Sequence, residues 1–162
     1  MIETFGPANV TYDKQDGAEG ETYMATTLFK KRPADRLIVS WSDEKRRSKP
    51  ESIVARADAS TPGSNWRLPN GLRPGSSLAD VEAANGKPFQ LSGFEWDYGG
   101  YATDWKGGSL AKGVGPCNVS IRFSPGPGAK TDKVSGDKAI LSSNPHMRAA
   151  KPFVSDITVS RK

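Results

Sequence analysis

The residues best suited to chemistry lie in one stretch near the middle of the chain, Gly93-Phe94-Glu95-Trp96-Asp97-Tyr98-Gly99-Gly100, which we call the box. It places carboxylates beside tyrosine and tryptophan rings, which combine an apolar face with a polar edge and are frequent in recognition surfaces. Such residues favour a non-enzymatic binding surface. The residues predicted to form it are Trp66, Arg67, Trp96, Asp97, Tyr98, Tyr101 and Trp105.

The same carboxylates permit an enzymatic alternative. Glycosidases use two carboxylates held at a fixed separation across a cleft. If the chain turns back at Gly99-Gly100, Asp97 would face Asp104 across a hairpin. The alternative function is therefore a carbohydrate-directed hydrolase that uses Asp97 with Asp104 or Glu95. A third, purely structural interpretation is a tight β-hairpin whose aromatic rings fill the core.

The composition excludes several other kinds of site. The 162-residue chain has one Cys and one His, which rules out an internal disulfide and any metal site built on several Cys or His ligands. Its Gly-Gly pairs follow neither the dinucleotide nor the P-loop spacing. We therefore predict no catalytic residue outside the carboxylates, no cofactor and no metal.

The net charge of +5 is a mild basic bias, carried by clusters at Lys30-Lys31-Arg32 and Lys45-Arg46-Arg47. Acidic residues and prolines interrupt these clusters, whereas nucleic-acid binding favours a continuous basic stripe with interleaved aromatics. We expect no nucleic-acid partner, and instead a protein or an envelope polymer. No apolar run is long enough to span a bilayer. The chain is expected to be a monomer or a weak dimer.

The elements that position the box begin with a short helix from Ser77 to Asn85. Ser77 and Asp80 have the spacing of a capping box, and Asn85-Gly86 followed by Pro88 predicts the helix end. A helix of about two turns is not stable alone, so its apolar side must pack on a sheet.

Period-two alternation predicts strands along most of the remaining chain. They are residues 9–14, 21–30, 36–42, 52–57, a short piece at Trp66, 89–96, 102–106, 118–124 and 153–161, with 139–142 as a weaker candidate. The predicted fold class is α+β, mainly antiparallel sheet with the short helix packed on it. We expect one compact domain over residues 1–162, with a mobile loop at 124–137. The repeat of Gly6-Pro7-Ala8-Asn9-Val10 as Gly115-Pro116-Cys117-Asn118-Val119 leaves open two similar halves, 1–69 and 70–162.

The segment from Asn70 to Leu110, with its short helix and G-F-x-W-D-Y-G-G box, resembles a family of uncharacterised bacterial proteins that are exported or lipid-anchored. The helix that ends in Gly-x-Pro before antiparallel strands is also similar to domains of the β-lactamase-inhibitor-protein type. The first resemblance implies a periplasmic or extracytoplasmic location after signal removal. Together with the aromatic residues of the box, it predicts a non-enzymatic binding or structural module of the bacterial cell envelope that acts through an aromatic β-hairpin. Residues 5–7 (Phe-Gly-Pro) read like the close of a helix, as expected of a trimmed exported chain, although a cytoplasmic protein would begin in the same way.

Overall fold

The computed structural model describes residues 1–57 and 63–162. These residues form mainly antiparallel β-sheet with three short helices, which confirms the predicted α+β class. The helices are α1 (Ile2–Phe5), α2 (Leu78–Asn85) and α3 (Pro145–Ala149). The strands are β1 (Val10–Asp16), β2 (Thr22–Leu28), β3 (Leu37–Asp43), β4 (Ser48–Arg56), β5 (Gln90–Ser92), β6 (Ala102–Asp104), β7 (Cys117–Ser124), β8 (Ala139–Leu141) and β9 (Phe153–Arg161).

A six-stranded sheet in the order β1-β2-β3-β4-β9-β7 is the larger of two antiparallel sheets. Strands β1 to β4 follow one another as hairpins, and β9, near the end of the chain, pairs with β4 on one side and β7 on the other. Residues 1–69 and 70–162, the two possible halves of the chain, therefore both contribute strands to this one sheet. The second sheet is small, in the order β6-β5-β8.

Helix α2 has the predicted start and end. The Ser77 hydroxyl accepts a hydrogen bond from the Asp80 amide, and the Asp80 carboxylate accepts one from the Ser77 amide, which is the reciprocal capping box. Gly86 ends the helix in the left-handed conformation with φ of 79°. The buried side chains of α2 are Leu78, Val81 and Asn85, and the two aliphatic ones belong to the main core.

The main core fills the space between one face of the large sheet, the small sheet and α2. Its sheet residues include Ile121 and Phe123 of β7 and Ile157 of β9, and the Phe123 ring stacks on Phe89 at 5.7 Å between centroids. Because side chains alternate along a strand, the residues between these point to the opposite face of the sheet. Among the described residues, the apolar cluster on that opposite face is small and consists of Ala25, Ile38 and Val54 with Tyr23 packed against it. Its neighbours on this face include the polar side chains of Arg122, Asp156 and Thr158.

The segment 124–137, predicted to be a mobile loop, contributes to the core. Val134 is only 1% exposed, and its carbonyl accepts a hydrogen bond from the Phe94 amide. Thr131 is also buried. The segment thus lies against the start of the box and fixes its position.

The box is a loop rather than the predicted strand and tight turn. Strand β5 ends at Ser92 and β6 begins at Ala102, so residues 93–101 connect the two strands. The alternation of Phe94 and Trp96 predicts a strand, but Glu95 has φ of +65° and breaks the extended conformation. The short strand predicted at Trp66 is likewise absent from the described residues.

Candidate functional site

The first half of the box is clamped onto the segment 131–138. The Phe94 amide donates to the Val134 carbonyl, and the Gly136 amide donates back to the Phe94 carbonyl. A Cβ at Gly93 would lie 2.4 Å from the Gly136 carbonyl oxygen, so only glycine fits this close approach. This close contact fixes the direction in which the loop leaves β5.

Glu95 completes this clamp. Its carboxylate accepts hydrogen bonds from the Thr131 hydroxyl and, at 2.8 Å, from the Ser135 hydroxyl. These bonds, the one from Thr131 first, lower the pKa of Glu95 below its ordinary value because they stabilise the charged form. Glu95 therefore stabilises the loop conformation, and its carboxylate is turned toward the segment 131–135.

We expect Glu95→Gln to lower the melting temperature at pH 7 and to have a smaller effect at pH 3. A carboxylate whose pKa is lowered by folding contributes stability above its ordinary pKa, 4.5 for Glu95, and loses that contribution as the pH falls through the lowered value. Thermal unfolding of both proteins across this range measures the effect. Ser135→Ala, which removes one donor, should lose part of the same pH-dependent stability. An equal difference in melting temperature at both pH values would contradict this role.

The second half of the box curves over the polar face of the large sheet and encloses a cavity of about 410 Å³. We call it the ring cavity because four of its lining residues are aromatic. The residues that line it are Asp16, Gly17, Ala18, Tyr23, Val54, Arg56, Trp96, Asp97, Tyr98, Tyr101, Arg122, Asp156 and Thr158. Four of the seven predicted binding residues, Trp96, Asp97, Tyr98 and Tyr101, thus converge on one cavity.

The floor of the ring cavity is a row of charges across three strands. Register places Arg56 of β4 and Arg122 of β7 directly opposite Asp156 of β9, which lies between them. The Arg56 Nε donates to the Asp156 Oδ1 at 2.8 Å. These side chains share a face only through pairing between distant strands, so no local pattern in the sequence indicates them.

Arg122 joins the floor to the box. Its Nε donates to the Gly99 carbonyl at 2.8 Å, and a terminal guanidinium nitrogen donates to the Asp97 carbonyl at 3.1 Å. The guanidinium carbon also lies 5.1 Å from the centre of the Tyr101 ring, within cation–π range. Arg122 therefore contacts three residues of the loop and holds the loop over the sheet.

The turn between β1 and β2 forms another part of the rim of the ring cavity. The Tyr98 hydroxyl donates to a Glu19 carboxylate oxygen at 3.2 Å, and the Glu19 amide donates to the Asp97 Oδ2 at 3.3 Å. The negative charge of Glu19 raises the pKa of Tyr98, because it disfavours the phenolate. Tyr98 lies at the rim, 48% exposed, with its hydroxyl donating to that carboxylate.

The other three predicted binding residues lie elsewhere. Trp66 and Arg67 line an apolar groove of about 230 Å³ on the opposite face of the large sheet. Trp66 is 38% exposed, and its indole nitrogen donates to the Asp35 carbonyl. Trp105 packs on the core, with its ring centre 5.0 Å from that of Phe89.

The three carboxylates of the hydrolase hypothesis have separate surroundings. Asp97 lines the ring cavity, whereas Glu95 and Asp104 are not among its lining residues. Asp104 accepts from the Lys106 amide at 2.7 Å and pairs with the Lys106 ammonium at 3.0 Å. These contacts, the amide first, lower the pKa of Asp104. Neither Glu95 nor Asp104 has the raised pKa that a general acid requires.

None of the helices in residues 1–57 and 63–162 is long and apolar enough to cross a membrane. Within that same part of the chain, no three His, Cys, Asp or Glu side chains are grouped so as to hold a metal ion. Comparison of the chain with known family models, with curated proteins and with solved structures found no match.

Proposed function

We propose that this chain is a non-enzymatic binding module of the bacterial cell envelope whose binding site is the ring cavity. The observation that carries the proposal is the convergence of Trp96, Asp97, Tyr98 and Tyr101 with charged side chains of the sheet on one cavity. Concave sites lined by rings and a few fixed polar groups are the usual form of ligand sites. The envelope location rests on the resemblance of residues 70–110, and the partner is an envelope polymer or protein.

The exposure of the rings supports recognition over a purely structural role. Tyr98 is 48% exposed and contacts the edge of the Trp96 ring, with 5.6 Å between centroids. The main core does not include either ring. Aromatic side chains kept at the mouth of a polar cavity provide contact area to a ligand at little cost in conformational entropy.

The hydrolase alternative has less support from the same geometry. A glycosidase needs two carboxyl groups facing one substrate, one of them with a raised pKa. Asp97 has neither Glu95 nor Asp104 as a neighbour in the cavity lining, and the pKa of each of these two is lowered. Binding without turnover fits this arrangement better.

The test is co-sedimentation of the purified protein with a bacterial envelope fraction. We expect the double substitution of Tyr98 and Tyr101 by Ala to reduce the bound fraction at least tenfold, with the melting temperature changed by only a few degrees. The matched control is Tyr12→Ala, because Tyr12 is 37% exposed but lies on β1 outside the ring cavity. The control should bind like the parent protein.

Two results would contradict the proposal. One is envelope binding that survives the double substitution. The other is a loss of binding that the Tyr12→Ala control shares, because it would indicate nonspecific aromatic adsorption. Tyr98→Phe separates the ring from its hydroxyl, and it should retain most binding if ring contact dominates.

A further inference from the structure

Four of the five charged side chains that line the ring cavity already have partners within the protein, and Asp16 is the exception among the described residues. Arg56 pairs with Asp156, and Arg122 donates to two carbonyls of the box. The Asp97 carboxylate accepts from the Glu19 amide. The lining contains two arginines and three aspartates, which leaves a net charge of only −1. An anionic ligand would have to displace these partners to reach an arginine, and a cationic ligand would find only the carboxylate of Asp16 without displacing one, so the cavity favours a neutral ligand.

The lining also offers hydrogen-bonding groups of complementary kinds. Carboxylates such as Asp156 only accept, guanidinium groups such as Arg122 only donate, and the Thr158 and tyrosine hydroxyls do both. A ligand can form hydrogen bonds with both the donors and the acceptors of this lining when each of its polar groups can donate and accept. The hydroxyl is the simplest group with that property. The rings of Trp96 and Tyr98 add flat apolar surfaces for the C–H faces of the same ligand.

We propose that the ligand of the ring cavity is a neutral saccharide. This inference rests on the proposed binding function and specifies its ligand class. A sugar ring combines several hydroxyls with an apolar C–H face, which matches both sets of lining groups. Its lack of charge matches the two arginines and the two aspartates, Asp97 and Asp156, that already have partners within the protein.

The sheet face next to the cavity indicates a chain of several sugar units. On the same face as Thr158 and Val54, the next positions along β9 and β4 are Ser160 and Ser52, which pair with each other. Register extends this row to Asn118 of β7 and Ser40 of β3. These short polar side chains continue the hydrogen-bonding surface without a bulky residue.

The experiment is calorimetric titration of the intact protein with hexasaccharides that differ in charge. Neutral hexamers of glucose, mannose and N-acetylglucosamine are compared with a cationic glucosamine hexamer and an anionic galacturonate hexamer. We expect at least one neutral hexamer to bind ten times more tightly than either charged one, and more tightly than its own dimer. Trp96→Ala and Tyr98→Ala should each weaken that binding at least tenfold, whereas Trp66→Ala, on the opposite sheet face, should not.

Several outcomes would overturn the saccharide assignment. They are tighter binding of a charged hexamer, no neutral hexamer binding at about 1 mM or better, and binding that neither cavity variant weakens. If the neutral hexamers fail while tyrosine-dependent envelope binding persists, the ligand class is wrong and the binding function stands. If envelope binding fails as well, the proposed function itself is wrong.

Discussion

Gly100→Ala is expected to destabilise the protein by about 2–5 kcal/mol, considerably more than Gly86→Ala. Both glycines have φ of +79°, so the backbone strain on adding a side chain is the same, about 1–2 kcal/mol. They differ in the space available. A Cβ at Gly86 meets nothing within 4 Å, whereas one at Gly100 would lie 2.1 Å from the Phe123 carbonyl oxygen.

Gly100 lies close to the backbone of Phe123 because the two residues are hydrogen-bonded. The Phe123 amide donates to the Gly100 carbonyl at 2.8 Å, which holds the box against β7 beside the core. A methyl group there must push the loop away from the strand and weaken that bond. Overpacking of this kind costs about 1–3 kcal/mol in addition to the strain.

Chemical denaturation of the two variants and the parent measures the difference. A glycine-to-alanine change also alters the unfolded chain, but by a similar amount at both sites, so the comparison isolates the native-state contact. Equal losses of stability at the two positions would show that Phe123 can move aside freely. Gly86→Ala is thus the internal control for backbone strain.

The parts of the fold that were predicted correctly depend on local signals. Helix α2 begins after Ser77 and ends at Gly86, because the capping box and the left-handed glycine act within one or two turns. The long strands follow from alternation, as in Leu37, Val39 and Trp41 of β3. Neither signal needs knowledge of the remaining chain.

Alternation predicts a strand in the box, and this prediction is wrong because the conformation of the box is set by contacts with residues far along the sequence. The alternation of Phe94 and Trp96 is the pattern of a half-buried strand, yet Phe94 is fixed by the amides and carbonyls of Val134 and Gly136. A segment forty residues away therefore decides the local backbone. Alternation cannot report such a contact.

The residues of the candidate site likewise include some that local sequence indicates and some that it does not. Trp96, Asp97, Tyr98 and Tyr101 could be predicted because they are neighbours in one loop, and the loop carries them to the cavity together. Arg56 and Asp156 could not, because they meet only through the pairing of β4 with β9. Trp66 and Trp105 belong to the predicted site only because of their ring type, which does not indicate on which side of a sheet a residue lies.

Arg122→Lys is expected to weaken ligand binding at least tenfold while the protein remains folded. The guanidinium of Arg122 donates from two nitrogens to the carbonyls of Gly99 and Asp97, and it lies over the Tyr101 ring. An ammonium group keeps the charge but lacks the planar fork that reaches two acceptors in a fixed geometry. The loop should therefore lose its defined position over the sheet.

Hydrogen exchange and the free energy of unfolding together distinguish loss of loop position from a general loss of stability. Hydrogen exchange should increase at the amides of Gly99, Gly100 and Tyr101 in Arg122→Lys, with the core amides of β9 still protected. Arg122→Ala should show the same local change and cost about 1.5–3 kcal/mol of global stability, the range for a hydrogen bond to a charged group.

Arg56→Lys is the matched control for the Arg122 variants, since Arg56 also lines the ring cavity but pairs with Asp156 on the sheet. It should leave exchange in the box unchanged, whatever its effect on binding. If Arg122→Lys also left that exchange unchanged while binding fell, Arg122 would act through direct ligand contact. Unchanged exchange together with unchanged binding would mean that the contacts within residues 93–101 and with the segment 131–138 suffice to position the rings.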